Sequence, residues 1–321
     1  MRPPFTVTPS VLTLVSEISL FLGRLEGLRA PTPQPQLRRQ NRIKTIQGSL
    51  AIEGNTLGLD QVTAILDKKR IAGPRKDITE VENALRLYEA TATFKAHSLK
   101  DFLKAHGILM KNLAADAGKF RAGAVGVLKG SKVAHVAPSA KRVPALMEDL
   151  FRFLKNDDEI PALIKACVVH YEIEFIHPFS DGNGRMGRFW QSVALARYHP
   201  LFEYIPVESL IKERQPHYYR VLGECDKKGD CTAFLEFMLE ALRDALGAYI
   251  DELKPEPETS ASRLRVAREH FEGREFTRKD YLAFFKTIST ATASRDLVGG
   301  VADGALRKSG ARALTRYRFH E

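Results

Sequence analysis

The stretch Phe175–Trp190, which reads FIHPFSDGNGRMGRFW, constrains the fold more than any other part of the chain. The segment before it predicts a helix, because apolar side chains recur there at roughly helical spacing. These side chains are Ala166, Val168, Val169 and Ile173. Residues Met186–Tyr198 again have the pattern of a helix, and Gly182, Asn183 and Gly184 suit a tight turn before it. The pattern predicts two helices joined by a loop that leads into the N-terminus of the second.

The residue types in this loop suit the binding of a phosphate. A loop that enters a helix collects free backbone N–H groups and the positive end of the helix dipole. Arg185 and Arg188, three residues apart, lie on one helix face and can both reach the same anion. Asp181 offers a hard oxygen ligand for the Mg²⁺ that accompanies a polyphosphate. His177, four residues earlier, is placed to act as a general base.

The same residues also allow a plainer interpretation, in which His177 caps a helix and the glycines only turn the chain. Their order favours a functional motif instead. From His177 to Arg188 the sequence matches the signature H-x-F-x-[DE]-G-N-G-R-x-x-R at every defining position. It thereby resembles the Fic proteins, which transfer AMP from ATP to protein hydroxyl groups. The resemblance implies a helical catalytic core that uses ATP as substrate and Mg²⁺ as cofactor.

The resemblance also implies a role for each motif residue. His177 would deprotonate a Ser, Thr or Tyr hydroxyl, which attacks the α-phosphorus while pyrophosphate leaves. Asp181 would hold Mg²⁺. The amides of Gly182–Gly184 and the Arg185 side chain would contact the α- and β-phosphates, and Arg188 the γ-phosphate. Positioning and charge stabilisation account for most catalysis of this type.

A second motif lies upstream, at the end of a helix predicted over Leu37–Ile52. Ser49–Gly54 satisfies [ST]-x-x-x-E-[GN], the pattern of an inhibitory helix in many Fic proteins. In that family the glutamate, here Glu53, borders the ATP site and pairs with the second arginine of the main motif, here Arg188. The resemblance therefore implies autoinhibition by a helix that precedes the core. In some relatives the same glutamate orients a water that removes AMP.

Residues Phe120–Pro138 are rich in Gly, Val and Ala and lack a helical period, which predicts a β-hairpin around Lys129–Ser131. Similar proteins have a hairpin there, called the flap, whose edge aligns the target segment by β-strand addition. By this resemblance its first strand would line the nucleotide and the target, through Val125, Gly126, Val127 and Leu128. An ordinary surface hairpin is the alternative. Relatives usually have bulkier polar residues than Ala122–Ala124, which leaves the target preference open.

The resemblance implies further contacts to the adenosine from a paired tyrosine and a polar residue about seven positions later. Tyr219 and Asp226 are the candidates, although relatives often have asparagine at the second position. The alternative is that the pair Tyr218–Tyr219 belongs to the core.

The remaining patterns predict a mainly α fold with a β-hairpin flap. We expect a helical N-terminal region with the inhibitory helix (1–110), a Fic core (111–252) and a winged helix-turn-helix domain (260–321). The predicted helices include Val11–Leu28, Asp60–Lys69 with Asp60 as N-cap, Asp77–His97, Ser98–Met110, Pro144–Phe153, Pro161–Ile176 and Phe234–Ile250. The proline-rich segment Ala30–Gln36 and the segment Lys254–Ala261 have the composition of linkers.

The C-terminal region carries much of the positive charge. Two short helices, Phe276–Phe285 and Ala291–Leu297, precede a predicted two-stranded wing over Gly304–Phe319. Residues Ala261–Glu321 hold 13 Lys and Arg against 7 Asp and Glu. A basic winged helix suits the phosphate backbone of DNA. The fold also serves as an interaction or dimer module, so DNA binding stays open.

Composition limits partners and location. With 321 residues, 44% hydrophobic, the chain can form a core and more than one domain. No apolar run approaches the roughly 20 residues of a membrane span, and the N-terminus MRPPFTVTPS lacks a secretory pattern. Cys167, Cys225 and Cys231 form neither a C-x-x-C pair nor a disulfide framework. We expect a cytoplasmic protein without a membrane partner. Its net charge of +10 suits an acidic partner.

Two function classes compete at this point. The first is a protein adenylyltransferase whose partners are ATP and a protein hydroxyl, its own included. The second is a DNA-binding regulator whose Fic core only senses nucleotide, although an inert core would be expected to lose His177 or an arginine. The motif contacts phosphates and not the base. Other donors, such as UTP, CDP-linked compounds and phosphocholine, are therefore alternatives to ATP. Homo-oligomer formation also stays open.

Overall fold

The computed structural model describes residues 3–27, 35–124, 126–129, 132–156, 159–253, 259–311 and 315–320, with backbone alone for 126–129, 132–136 and Leu253. The chain divides into two compact units, Met1–Ile250 and Asp251–Glu321. The described residues are mainly helical, as predicted. None of their helices is both long and apolar enough to cross a membrane. The first unit includes the predicted regions 1–110 and 111–252, and that finer division stays a prediction.

The helices of the first unit, in chain order, are α1 (Pro9–Gly27), α2 (Pro35–Ile52), α3 (Leu59–Leu66), α4 (Arg75–Glu89), α5 (Leu99–Leu109), α6 (Val143–Asn156), α7 (Ala162–Ile176), α8 (Asn183–Tyr198), α9 (Val207–Glu213), α10 (Gln215–Lys228) and α11 (Thr232–Leu253). Short 3₁₀ turns lie at Thr91–Thr93, Ala140–Arg142 and Pro200–Tyr204. Strands β1 (Gly126–Lys129) and β2 (Lys132–Val136) pair antiparallel where the hairpin was predicted, and Gly130 and Ser131 lie outside the described residues.

Helices α7 and α8 form the centre of this unit and meet at the sequence motif. Helix α7 is apolar on all sides, the pattern of a helix enclosed by others, and Leu163–Tyr171 are buried without interruption. The two helices approach closely at Gly187, where a Cβ would lie 2.7 Å from the His170 ring. Trp190 packs edge-on against Phe102, with ring centroids 5.1 Å apart. The motif therefore lies where two closely packed helices meet.

Several helix boundaries differ from the sequence predictions. Helix α8 begins at Asn183 instead of Met186, because Gly182 alone makes the turn at φ 86°. Helix α4 ends at Glu89 and does not reach His97, because the chain tightens into the 3₁₀ turn. The N-cap of α3 is Gly58 and not Asp60, and the Gln61 side chain accepts the Gly58 N–H bond at 3.1 Å.

The second unit contains α12 (Ser260–Phe271), α13 (Arg278–Phe284), α14 (Thr290–Ala302) and the antiparallel strands β3 (Leu306–Ser309) and β4 (Arg316–Phe319). Helix α13 and both strands fall where they were predicted, α14 continues past the predicted end at Leu297 to Ala302, and α12 was not predicted. The winged-helix assignment stays a prediction.

A buried ion pair joins the helices of the second unit. Arg263 Nε and Nη2 donate to Asp296 Oδ2 and Oδ1 at 2.6 and 2.9 Å. The Tyr281 hydroxyl donates to the same carboxylate at 3.3 Å. This bidentate pair fixes α12 against α14 within the apolar core.

Helix α2 packs on α9 at Gly48, where a Cβ would lie 2.9 Å from the backbone carbon of Glu208. Gly48→Ala should therefore force the helices apart and lower the free energy of unfolding by about 1–3 kcal/mol, measured by urea denaturation. Gly23→Ala on α1 is the matched control, because nothing lies within 4 Å of its Cβ. We expect the control to be neutral or to raise stability by about 0.5–1 kcal/mol. Equal effects of the two substitutions would contradict the close contact.

Candidate active site

His177 lies where α7 ends, and the helix end itself orients it. Its backbone is left-handed, with φ 50° and ψ 60°, a conformation that costs a non-glycine residue about 1–2 kcal/mol. Buried Arg121 donates from Nε to His177 O at 2.7 Å and from Nη2 to Ile176 O at 3.3 Å. The imidazole Nδ1 lies 3.3 Å from Glu174 O. His177 thus ends the helix, as the plainer interpretation held, and Arg121 fixes the direction in which the chain leaves it.

The turn between the helices is closed by side chains that bind backbone. Asn183 Oδ1 accepts from Phe179 N and its Nδ2 donates to Phe179 O, both at 2.9 Å. Gly182 has a positive φ, and a Cβ there would overlap a methionine sulfur, so glycine is required. His106 Nδ1 accepts a backbone N–H bond at 2.9 Å, so its Nε2 carries the proton and donates to Asp181 O at 3.0 Å. The start of α8 is held rigidly.

Arg188 is the side chain at which the upstream and downstream motifs meet. Its side chain is 1% exposed. Nε donates to Ser49 Oγ at 3.1 Å, and Nη2 donates to Ser49 O at 3.0 Å and to Glu53 Oε1 at 2.7 Å. Its Nη1 is buried and has no hydrogen-bond partner among the described residues. Since an unsatisfied buried donor is costly, Nη1 marks a position where the oxygen of an anion would bind.

Arg185 binds different carboxylates. Its Nη1 lies 3.0 Å from Glu80 Oε1 and its Nη2 lies 2.9 Å from Asp181 Oδ1. Glu80 is itself held by Asn55 Nδ2 at 2.8 Å. The two motif arginines therefore have separate partners in this structure, and their convergence on one anion stays a prediction.

Two carboxylates approach each other beside Gly184. A Cβ at Gly184 would overlap the Glu53 carboxylate and lie 3.1 Å from Glu174 Oε1. Burial raises the pKa of Glu174 from 4.5 to about 7, with Arg188 opposing this rise and Glu53 adding to it. The crowding of these groups explains why the position requires glycine.

A chain of hydrogen bonds leads from Glu174 into the interior. The Tyr218 hydroxyl lies 2.9 Å from Glu174 Oε1 and 3.1 Å from His170 Nε2, and His170 Nδ1 contacts Gln191 Oε1. Burial lowers the pKa of His170 to about 3, so its ring is neutral. The Tyr218 hydroxyl donates to Glu174 Oε1, and this bond opposes the rise in the pKa of Glu174. Burial is therefore the main cause of the raised pKa of Glu174.

The remaining predicted residues have other surroundings. Val125 lies outside the described residues, and for Gly126–Leu128 only the backbone in β1 is described. Tyr219 donates its hydroxyl to Ile52 O at 3.3 Å, at the end of α2. Asp226 accepts a tyrosine hydroxyl of α7 at 3.0 Å. Contacts of these residues with adenosine stay predictions.

The sequence reasoning missed several residues that hold the motif in place: Glu80, His106, Arg121 and Glu174. Glu174 carried a signal, because it is a carboxylate within an apolar helix and three residues before His177. The others carried none. Their contacts join the motif to segments distant in sequence, which a single sequence does not pair.

Comparison with known proteins agrees with this arrangement. A model of the Fic/DOC family matches residues 96–195. The crystal structure of a Fic family protein from Desulfovibrio desulfuricans G20 is 41% identical, with a TM-score of 0.79, and the match covers 100% of this chain and 98% of that one. The chain belongs to the Fic family. Fic-1 from C. elegans shares the fold of this Fic protein at 22% identity, with a TM-score of 0.61 over 76% of this chain and 72% of that one.

Curated relatives are longer than this Fic protein. Protein adenylyltransferase fic-1 of Caenorhabditis briggsae is 29% identical over 242 residues, which are 71% of this chain and 45% of the relative. Protein adenylyltransferase Fic of Drosophila erecta is 30% identical over 226 residues, which are 66% of this chain and 43% of the relative. The chain spans less than half the length of these relatives, so their activity supports a proposal for it.

The raised pKa of Glu174 predicts a pH dependence of stability. Its folded pKa of about 7 lies above its ordinary value of 4.5. The stabilisation from the retained proton is complete below 4.5 and is lost as the pH rises through 7. Glu174→Gln keeps the shape and stays neutral. Between about pH 5 and pH 8 the parent's free energy of unfolding should fall by about 1–3 kcal/mol more than the variant's, measured by urea denaturation.

The control is Glu82→Gln, which removes an exposed carboxylate on α4 and should leave the pH profile of the parent unchanged. Parallel profiles of the parent and Glu174→Gln would show that Glu174 does not retain a proton in the folded protein.

Proposed function

We propose that this Fic protein transfers AMP from ATP to the hydroxyl of a Ser, Thr or Tyr side chain in a protein, itself included, with Mg²⁺ as cofactor. One observation carries the proposal. His177 ends α7 and Arg188 lies just inside α8, where its buried Nη1 lacks a partner within the described chain. A base and an arginine with one unsatisfied donor therefore flank one turn at a helix N-terminus. The complete motif and the names of the relatives support the same reaction.

In this reaction His177 accepts the proton of the target hydroxyl, whose oxygen forms a bond to the α-phosphorus of ATP. The bond from the α-phosphorus to its bridging oxygen breaks, and pyrophosphate leaves. The amides of Gly182–Gly184 and the dipole of α8 attract the phosphates. Arg185 would contact the α- and β-phosphates and Arg188 the γ-phosphate, so that fixed positive charge opposes the charge that develops.

Asp181 fits a role in holding Mg²⁺. Its side chain is 54% exposed, beside the helix N-terminus where the phosphates would bind. Its Oδ1 is held by Arg185 and by Gly182 N, at 2.9 and 2.6 Å. The described residues contain no group of three or more His, Cys, Asp or Glu that could hold a metal. A single carboxylate fits Mg²⁺, which takes most of its ligands from water and nucleotide phosphates and would neutralise their charge.

We further propose that Glu53 inhibits the reaction. Its carboxylate forms an ion pair with Arg188 at 2.7 Å and lies over Gly184 in the first turn of α8. An anion at this position competes with a phosphate for the same cation and the same helix dipole. ATP can then still bind, but in a nonproductive pose. The same carboxylate, beside the turn, would orient a water for the removal of AMP.

Other expectations become part of the proposal. The hairpin β1–β2 would serve as the flap, Tyr219 and Asp226 would contact the adenosine, and residues 260–321 would form a winged helix-turn-helix domain. DNA contact, oligomer formation and a cytoplasmic location stay predictions. The alternative of a nucleotide-sensing regulator is not favoured, because the curated relatives are named adenylyltransferases.

Removal of the proposed inhibitory carboxylate should raise AMP transfer. Glu53→Gly frees Arg188, and loss of one charge-assisted contact corresponds to about 10–100-fold in labelling. The measurement is radiolabel incorporated into the protein from α-labelled ATP. Glu53→Gln, which keeps the size but not the charge, should give an intermediate increase. Glu53→Gly/Arg188→Ala should stay unlabelled, because the released group is then absent. Equal labelling of the parent and Glu53→Gly would remove the inhibitory role.

The general base is tested in the Glu53→Gly background. His177→Ala should lower labelling by about 10²–10⁴-fold, the usual contribution of a general base. Circular dichroism and thermal melting should show an unchanged fold, since the side chain lies at the end of α7. Undiminished labelling of a folded His177→Ala protein would refute the assignment.

A further inference from the structure

A second cleft lies at the ends of α7 and α8 that are remote from the motif. It encloses about 690 Å³, within the roughly 300–1,000 Å³ of small-molecule sites. Its lining includes Ala162 at the start of α7 and Tyr198 at the end of α8. Helix α7 has 15 residues, so about 22 Å separate this cleft from His177. The cleft is therefore distinct from the proposed nucleotide site.

The described lining of the cleft is cationic. Lys95, Lys165 and Arg197 provide the positive charge, and the described lining includes no carboxylate. Lys165 is 9% exposed, and its Nζ makes one long hydrogen bond of 3.4 Å to Leu154 O. No described carboxylate forms an ion pair with it. Since a buried ammonium is costly unless it is paired, Lys165 points to an anionic ligand.

Two further features place donors at the same cleft. Arg197 Nη2 donates to Phe94 O at 3.0 Å, which anchors the guanidinium beside the cleft. Helix α7 begins at Ala162, which lines the cleft, and Pro161 before it provides no side-chain cap for the first amides of the helix. The cations and the positive end of the helix dipole thus favour the same kind of ligand. The Tyr198 ring offers apolar surface beside them.

We propose that this cleft binds a small soluble phosphate ester of sugar-phosphate or nucleotide size. Lys165, Arg197 and the first amides of α7 hold the phosphate. The organic part packs against Tyr198 and the alanines of the lining. This site is separate from the proposed transfer of AMP and does not depend on it.

The test is isothermal titration calorimetry of the full chain at low salt with glucose 6-phosphate, and with glucose as the uncharged control. We expect glucose 6-phosphate to bind and glucose not to bind. Lys165→Met and Arg197→Gln should each weaken binding about tenfold or more, because each removes a charge-assisted contact. Lys155→Met removes an exposed charge on α6 outside the cleft and should bind as the parent does. Arg188→Ala should also bind as the parent does.

Arg197→Gln keeps the proposal testable if Lys165→Met fails to fold, because the Arg197 side chain lies at the surface. Binding that survives Arg197→Gln and is lost in Arg188→Ala would assign the ligand to the motif instead. Absence of binding to the parent would also overturn the proposal.

Discussion

A guanidinium withdrawn from water is costly unless its charge and donors are balanced, and Arg188 imposes this requirement on the first unit. Three of its contacts come from the end of α2. Ser49 provides its hydroxyl and its backbone oxygen, and Glu53 provides its carboxylate. Helix α2 is therefore seated on α8 by the contact that would exclude a phosphate. The same contact serves the packing of the fold and the proposed control of the site.

The surroundings of Arg188 also explain which of the nearby carboxylates an incoming anion would displace. Burial raises the pKa of both Glu174 and Glu208 to about 7, so neither provides a full negative charge at neutral pH. Glu53, in contrast, is 32% exposed and forms the ion pair. Water can replace the interactions of an exposed carboxylate more readily than those of a buried one. Exchange with an incoming anion is therefore easiest at Glu53.

The parts of the site that follow from local chemistry could be predicted. The turn at Gly182, the helices around it and the upstream segment with Glu53 are each encoded within a few residues, and the resemblance supplied the pairing with Arg188. Contacts such as Glu80 with Arg185, or Arg121 with the end of α7, depend on how distant segments pack. The cleft could not be predicted either, because its lining comes from separate parts of the chain: residues 95–97, Leu154, Ala162 with Lys165, and Ala194 with Arg197 and Tyr198. Helix α12 was missed because apolar residues are sparse in it, and its buried Arg263 needs Asp296 as a partner.

The end of α2 has a second anchor, which connects the inhibitory contact to the proposed adenosine site. Gln215 Nε2 and the Tyr219 hydroxyl donate to Ile52 O at 2.8 and 3.3 Å, directly before Glu53. If adenosine contacts Tyr219 as proposed, the adenosine of a nucleotide would compete with the hydrogen bonds to Ile52 O, and its γ-phosphate would compete with Glu53 for Arg188. Under this proposal ATP would weaken both contacts, whereas a nucleotide without a γ-phosphate would weaken only the hydrogen bonds to Ile52 O. Because coupling between sites is reciprocal, any partner that draws the end of α2 away from α10 also favours the productive binding of ATP.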